Sequence, residues 1–275
     1  MIHLLYYCQI NCGGNNMTMR KRQGSRVLAG IIGTLLVAAF ITKAVDYISL
    51  NSQHSDVNST VMAFAQENDL DYDLYPESLI GLLERNPETE AFVLNYPLEY
   101  DKDHIVDLSE YENSESVPLF MQWDPRWGYT IYGNDVAGLT ACGPVCLSMA
   151  AYYLTGDEAF SPDKMIAFAI DNGHCTAGSG TSWTLISEGA VKLGFDVTEI
   201  PLDESRIISN LEVDNPIICV MGPGDFTSTG HYIVLNGYEN GMIRVNDPNS
   251  KANSSKLWSY NEIKDQIRNL WVLRN

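Results

Sequence analysis

Residues 140–153 leave the chain little freedom of local structure. Pro144 has the fixed φ that suits the first turn of a helix. Apolar residues then recur at Val145, Met149, Tyr152 and Tyr153, and Gly156 is a C-cap candidate. The pattern predicts a helix with Thr140 or Ala141 near its cap and Cys142 in its first turn. A thiol placed there feels unpaired N–H groups and the positive end of the helix dipole, which favour the thiolate. Cys142 is therefore a candidate nucleophile, and the remaining question is whether the chain supplies a base, an orienter and an oxyanion donor.

Charge narrows the partners. Residues 1–45 contain no acid and hold five of the 17 bases, leaving 12 bases against 35 acids in residues 46–275, a balance of −23. Such a body repels phosphate backbones, so no nucleic-acid partner is expected. Arg20, Lys21, Arg22 and Arg26 precede the apolar run Val27–Thr42, which extends to Val45 if Lys43 snorkels. The expected organisation is a cytoplasmic tail (1–26), a transmembrane anchor or signal sequence (27–45), an acidic helical linker or pre-domain (46–114) and a folded domain (115–275). The protein is then single-pass in the cell membrane with its C-terminal domain outside, or secreted. Cys8 and Cys12 precede the apolar run. Cys142 and Cys146 are one helical turn apart, a poor geometry for a bridge, which leaves a Cys175–Cys219 disulfide open.

Residues 46–112 carry 16 acids and two bases. Pro76–Arg85 reads as a short amphipathic helix. Asn86 caps a second helix that opens with Pro87, Glu88 and Glu90 and ends at Tyr96-Pro97. Asp69, Asp71 and Asp73 alternate as in a calcium loop. However, Leu74 and Ile80 stand where that loop needs glycine and glutamate, so these acids read as solvated and no metal is expected. Further on, the pattern predicts a helix over Trp183–Leu193, a strand over Phe195–Ile200, a helix over Asp203–Leu211 and an apolar strand over Pro216–Met221. His231–Asn236 and Met242–Asn246 read as strands around Asn240-Gly241. Ser259 has capping-box spacing to Glu262 before a helix to about Arg268, and Leu270–Leu273 closes as a strand.

Of five histidines, His231 alone begins a strong apolar strand, behind Ser228-Thr229-Gly230. It is the best base candidate. Asp247 lies 16 residues on with Glu239 midway, so a hairpin loop of three or five residues would set the two side chains opposite each other. A two-residue Asn240-Gly241 turn would instead pair Asp247 with Val234. The chemistry prefers the odd loop, with Asn246 as fallback orienter. A carboxylate on the distal ring nitrogen would fix the tautomer and stabilise the imidazolium. The backbone N–H of Cys142 and the side-chain amide of Gln122 are candidate oxyanion donors. Cys146 reads as core. A zinc site from Cys142, Cys146, His174 and Cys175 lacks the usual two-knuckle spacing. Trp123, Trp127 and Trp183 are core or a peptide-binding lip, with Trp183 leaning to the lip.

Val117-Pro118-Leu119-Phe120-Met121-Gln122, Cys142-Gly143-Pro144 opening a helix, Gly230-His231-Tyr232-Ile233-Val234-Leu235 and Asn246-Asp247-Pro248 together resemble the C39-like cysteine peptidase family. Gly180–Trp183 and Tyr75–Thr89 resemble its extracytoplasmic members from Gram-positive bacteria. The resemblance implies an α+β, papain-like cysteine peptidase fold in which an N-terminal helical part packs on an antiparallel sheet. It also implies Cys142, His231 and Asp247 as catalytic residues, Gln122 as the oxyanion-hole glutamine, and no cofactor. The chain departs from the exporter branch of that family in the 20-residue spacing of Gln122 from Cys142. The function expected is a thiol hydrolase acting on peptide or isopeptide bonds. The alternatives are an inactive papain-like domain that binds peptides or cell-wall components, and a structural envelope protein whose thiols serve zinc or a disulfide.

Overall fold

The structure is a computed structural model that describes residues 42, 43, 45, 49 and 52–275 apart from 177 and 179. The expected tail and nearly all of the expected anchor lie outside the described residues. Among the described residues, no helix is long and apolar enough to cross a membrane. The chain divides into two units, Met1–Asp56 and Val57–Asn275, and the site lies wholly within the second.

Helix α1 (Glu77–Arg85) buries Leu79, Ile80, Leu82 and Leu83 on one stripe. The Asn86 carboxamide accepts from the backbone N–H of Glu88 and caps the single turn Pro87–Thr89. Helix α2 (Glu90–Glu99) follows and runs through Pro97 instead of ending before it. The helix loses one N–H donor there but closes with Tyr100 N–H on the Tyr96 carbonyl. The acids at 69, 71 and 73 are exposed as expected. Many apolar residues of this segment are nonetheless buried: Val61, Leu79, Leu83, Phe92 and Val93 form one core with Met121, Trp123, Tyr129 and Val136, while Met62, Leu74, Tyr100 and Ile105 stay exposed.

Helix α3 (Cys142–Thr155) begins at the thiol and stops at Gly156, whose φ of 66° is the left-handed turn that glycine adopts freely. It is buried on nearly every side and packs against α4 (Pro162–Asp171). The helix expected over 183–193 is a wide π-turn, Leu185–Gly189, followed by Ala190–Lys192. A side chain at Gly189 would come within 3.0 Å of the buried His174 ring, around which the turn passes.

The remaining chain supplies β1 (Asp196–Glu199), α5 (Glu204–Leu211), β2 (Ile217–Met221), β3 (His231–Glu239), β4 (Met242–Asn246), β5 (Leu257–Trp258) and β6 (Ile267–Arg274). The strands form one antiparallel sheet in the order β1-β6-β2-β3-β4-β5. The capping box at Ser259 is present, but its helix stops at Ile263, because residues from Ile267 are drawn into pairing with β2. Strand alternation divides the core. Ile218, Val220, Tyr232, Val234 and Leu273 face α3, whereas Ile217, Cys219, Met221, Ile233 and Leu235 face α5. Cys219 is thus on the α5 face and Cys175 packs with the α3 core. They lie on opposite sides of the sheet, and both are free thiols.

Candidate active site

The β3–β4 hairpin turns at Asn240 and Gly241, both with positive φ (53° and 80°), so Glu239 pairs directly with Met242. This is the two-residue turn, not the odd loop expected from the spacing of His231 and Asp247. Alone it would have set Asp247 opposite Val234, on the face that His231 does not share. A β-bulge corrects it. Leu235 pairs with Val245 but Gly237 with Arg244, so Asn236 is one extra residue in β3, and Val234 pairs with Asn246. Continued one step, the ladder brings Asp247 to Ile233, a diagonal neighbour of His231 with the same parity. The fallback orienter is excluded by the same register. Asn246 points to the other face and donates to the Val117 and Pro118 carbonyls, both at 3.0 Å.

His231 Nε2 donates to Asp247 Oδ1 at 2.7 Å, with the two side chains 8% and 1% exposed. Asp247 Oδ1 also accepts from the Asn249 N–H at 2.9 Å, and Oδ2 accepts from Asn253 Nδ2 at 2.8 Å. The buried carboxylate is fully partnered, as a desolvated charge must be. With Nε2 committed to Asp247, Nδ1 is the nitrogen left for the Cys142 thiol, which lines the same cleft and is close enough to raise the ring's pKa. Burial by itself pushes the imidazole pKa down. The charge and hydrogen bond of Asp247, helped by Cys142, outweigh it, and His231 is pushed up to about 10. Held by Asp247 in this way, the ring favours its protonated form.

Cys142 is half-buried at the head of α3. Its N–H belongs to the first turn, where helix geometry offers no internal acceptor. Gly143 is required beside it, since a Cβ there would lie 2.6 Å from the Thr181 side chain. Gln122 is 3% exposed; its Nε2 donates to the Gly138 carbonyl at 2.8 Å, while Oε1 has no partner. The backbone N–H of Gln122 donates to the Pro248 carbonyl at 2.7 Å, tying it to the Asp247 loop. The inserted residues between Gln122 and Cys142 fold into two short helices and a two-stranded ribbon, and this excursion returns the chain to the site.

Gln122, Cys142 and His231 open on one cleft of about 920 Å³. Trp183 stands 46% exposed at its rim, the lip position, whereas Trp123 and Trp127 are buried. Gly230 borders the same cleft, with nothing within 4 Å of where its Cβ would be. Cys146 is a core residue whose thiol is pushed well up by burial. Cys142, Cys146, His174 and Cys175 do not converge, and no metal-binding group of three or more His, Cys, Asp or Glu occurs among the described residues. The sequence reading missed the partners of Asp247 other than His231. Asn253 and Ser254 lie in a polar stretch with no motif, and Asn86 and Glu88 are separated from it by more than 160 residues.

The cleft thus gathers a thiol at a helix head and an imidazole on a strand, with a buried carboxylate holding the imidazole. The model of the Peptidase_C39 like family matches residues 114–275, and the chain belongs to that family. Two solved structures resemble it. One is the peptidase domain of Streptococcus ComA, a bi-functional ABC transporter involved in a quorum-sensing pathway (22% identity, 57% of this chain and 98% of that one, TM-score 0.40). The other is a chain from Bacillus anthracis assigned as a C39-like peptidase (12% identity, 58% of this chain and 94% of that one, TM-score 0.40). No curated protein matches the chain.

Proposed function

We propose that the protein is a papain-like cysteine peptidase, hydrolysing peptide or isopeptide bonds with Cys142 as nucleophile, His231 as acid–base and Asp247 as orienter. The observation that carries this reading is the His231–Asp247 hydrogen bond at 2.7 Å beside the Cys142 thiol, at the floor of an open cleft. The thiolate attacks the carbonyl carbon. The oxyanion that forms is met by the Cys142 N–H and by the second amide proton of Gln122, whose first is spent on Gly138. The His231 imidazolium gives its Nδ1 proton to the leaving amine, and the neutral ring then activates the water that releases the acyl group. An idle binding domain has no need of this arrangement. Intact thiol, base and fully partnered carboxylate favour the enzyme over that alternative. The basic cluster ahead of the apolar run at 27–45 supports a site outside the cytoplasmic membrane, tethered or secreted, with peptide or protein as substrate.

The test is cleavage of a mixed peptide library followed by mass spectrometry. The wild type is expected to cut a subset of sequences, and Cys142→Ala to lose at least about 1,000-fold of that activity. Cleavage that survives Cys142→Ala, or a Cys142 that iodoacetamide alkylates no faster than a free thiol below pH 7, would overturn the assignment.

A further inference from the structure

Asp247 does not sit on the sheet. It lies one residue past β4, in a loop leading to the five-residue helix Lys251–Ser255. That helix carries the groups that hold it: Asn253 Nδ2 donates to Oδ2 at 2.8 Å, and Ser254 Oγ accepts the Asp247 N–H at 2.9 Å. A helix this short is marginal by itself, because nucleation is costly and few hydrogen bonds offset it. Something else must hold its first turn.

The holder comes from far away in the chain. The Glu88 carboxylate accepts from Ser250 Oγ (3.0 Å), Lys251 N–H (2.9 Å) and Ala252 N–H (3.2 Å). Ser250 Oγ in turn accepts the Asn253 N–H at 3.1 Å, so a continuous relay runs from Glu88 through Ser250 and Asn253 to Asp247 Oδ2. Asn86 Nδ2 adds a bond to the Asn249 carbonyl at 2.6 Å. Glu88 is itself fixed, since its N–H donates to Asn86 Oδ1 and the neighbouring Thr89 is fully buried, donating to the Asn86 carbonyl. All of these holders precede residue 114, where the family match begins.

We infer that Glu88 is a positioning residue for Asp247: the acidic segment ahead of the family-matched region completes the site by holding the loop that carries its carboxylate. This rests on the Cys142–His231–Asp247 reading. Without Glu88 the loop gains freedom, Asp247 leaves His231 part of the time, and the imidazolium that supports the thiolate is depopulated. Asn86 Nδ2 and Trp123 Nε1, which donate to the Asn249 carbonyl, and the Gln122 N–H, which donates to the Pro248 carbonyl, remain as tethers, so the site is weakened and not abolished.

The experiment is the rate of iodoacetamide alkylation of Cys142 at about pH 6 in the full chain, with melting temperature as a fold control. It needs no knowledge of the peptide substrate. Glu88→Ala is expected to slow alkylation at least about tenfold, through loss of charge-assisted hydrogen bonds. Glu88→Gln keeps an acceptor for Ser250 and Ala252 and is expected to fall between. Glu90→Ala, which removes the same charge at an exposed position two residues along, is expected to match the wild type. A folded Glu88→Ala that alkylates at the wild-type rate overturns the inference. So does a wild-type rate in Glu88→Gln if Glu88→Ala fails to fold, or equal slowing in Glu90→Ala. A wild type without rapid Cys142 alkylation overturns the catalytic reading instead, and this inference with it.

Discussion

A carboxylate that is 1% exposed must have its charge met inside the protein, and Asp247 has it met by His231, Asn249 and Asn253. The consequence is visible at His231. Its pKa is raised from 6.5 to about 10, so the folded state holds the proton more tightly than the unfolded chain does. The stabilisation is therefore fully present below pH 6.5, declines as pH rises through the interval, and is gone above about pH 10. Thermal melts from pH 6 to 10 are expected to fall more steeply in the wild type than in His231→Gln, which has no proton to lose. Parallel curves would show that the imidazole is not held by Asp247. Nominating Cys142, His231 and Asp247 takes residue type, order and strand position, with Asn246 left as the alternative to Asp247. The amide roles differ: a buried Gln122 and an exposed one are indistinguishable until the fold returns that side chain to the cleft.

At the scale of elements, local chemistry accounts for most of what forms. Pro144 and Gly156 bound α3, Asp203 caps α5, and the Asn240-Gly241 pair makes the hairpin turn. The register does not follow from those signals. The Asn240-Gly241 turn is readable, but the His231–Asp247 spacing favours an odd loop, and the two-residue turn that forms sets Asp247 against the wrong neighbour unless Asn236 is extruded. Extrusion is favoured because it lets the faces match: Leu235 and Tyr238 both reach the α5 side, opposite Val245 and Ile243. Deleting Asn236 removes the surplus residue yet leaves the pairs Val234–Asn246 and Gly237–Arg244 as they are. Cleavage or Cys142 alkylation is accordingly expected to stay within about tenfold of wild type. A loss far beyond that would mean that the local twist of the bulge, and not register alone, aims the pair.

Across the whole of residues 57–275, the acidic segment is a structural partner of the peptidase-like region. Phe92 is 2% exposed, stacks on Tyr129 with ring centroids 4.4 Å apart, and lies against Gly128 and Gly138, where any side chain would collide with it. Gly138 is also the acceptor for Gln122, so this contact and the site share a wall. Phe92→Ala is expected to cost about 3–5 kcal/mol, read from urea unfolding, because a ring-sized cavity opens with little scope for collapse. A cost below about 1 kcal/mol would show that the segment packs only loosely. Composition alone leaves this region as an acidic helical linker or pre-domain. Its acids lie mainly on the outside, but Val61, Leu79, Leu83, Phe92 and Val93 share one core with Met121, Trp123, Tyr129 and Val136.

Read without coordinates, the chain nominates its candidate groups. A thiol that begins a helix, a histidine that begins an apolar strand and an aspartate just past the next strand are local facts, set by capping preference, proline geometry and period-two alternation. What holds those groups together is not local. The bulge at Asn236, the return of Gln122 to the cleft and the grip of Glu88 on the Asp247 loop each depend on contacts between residues far apart in sequence. Short-range propensity cannot encode them, since their free energy comes from burying apolar faces and partnering polar groups only once the chain has closed on itself.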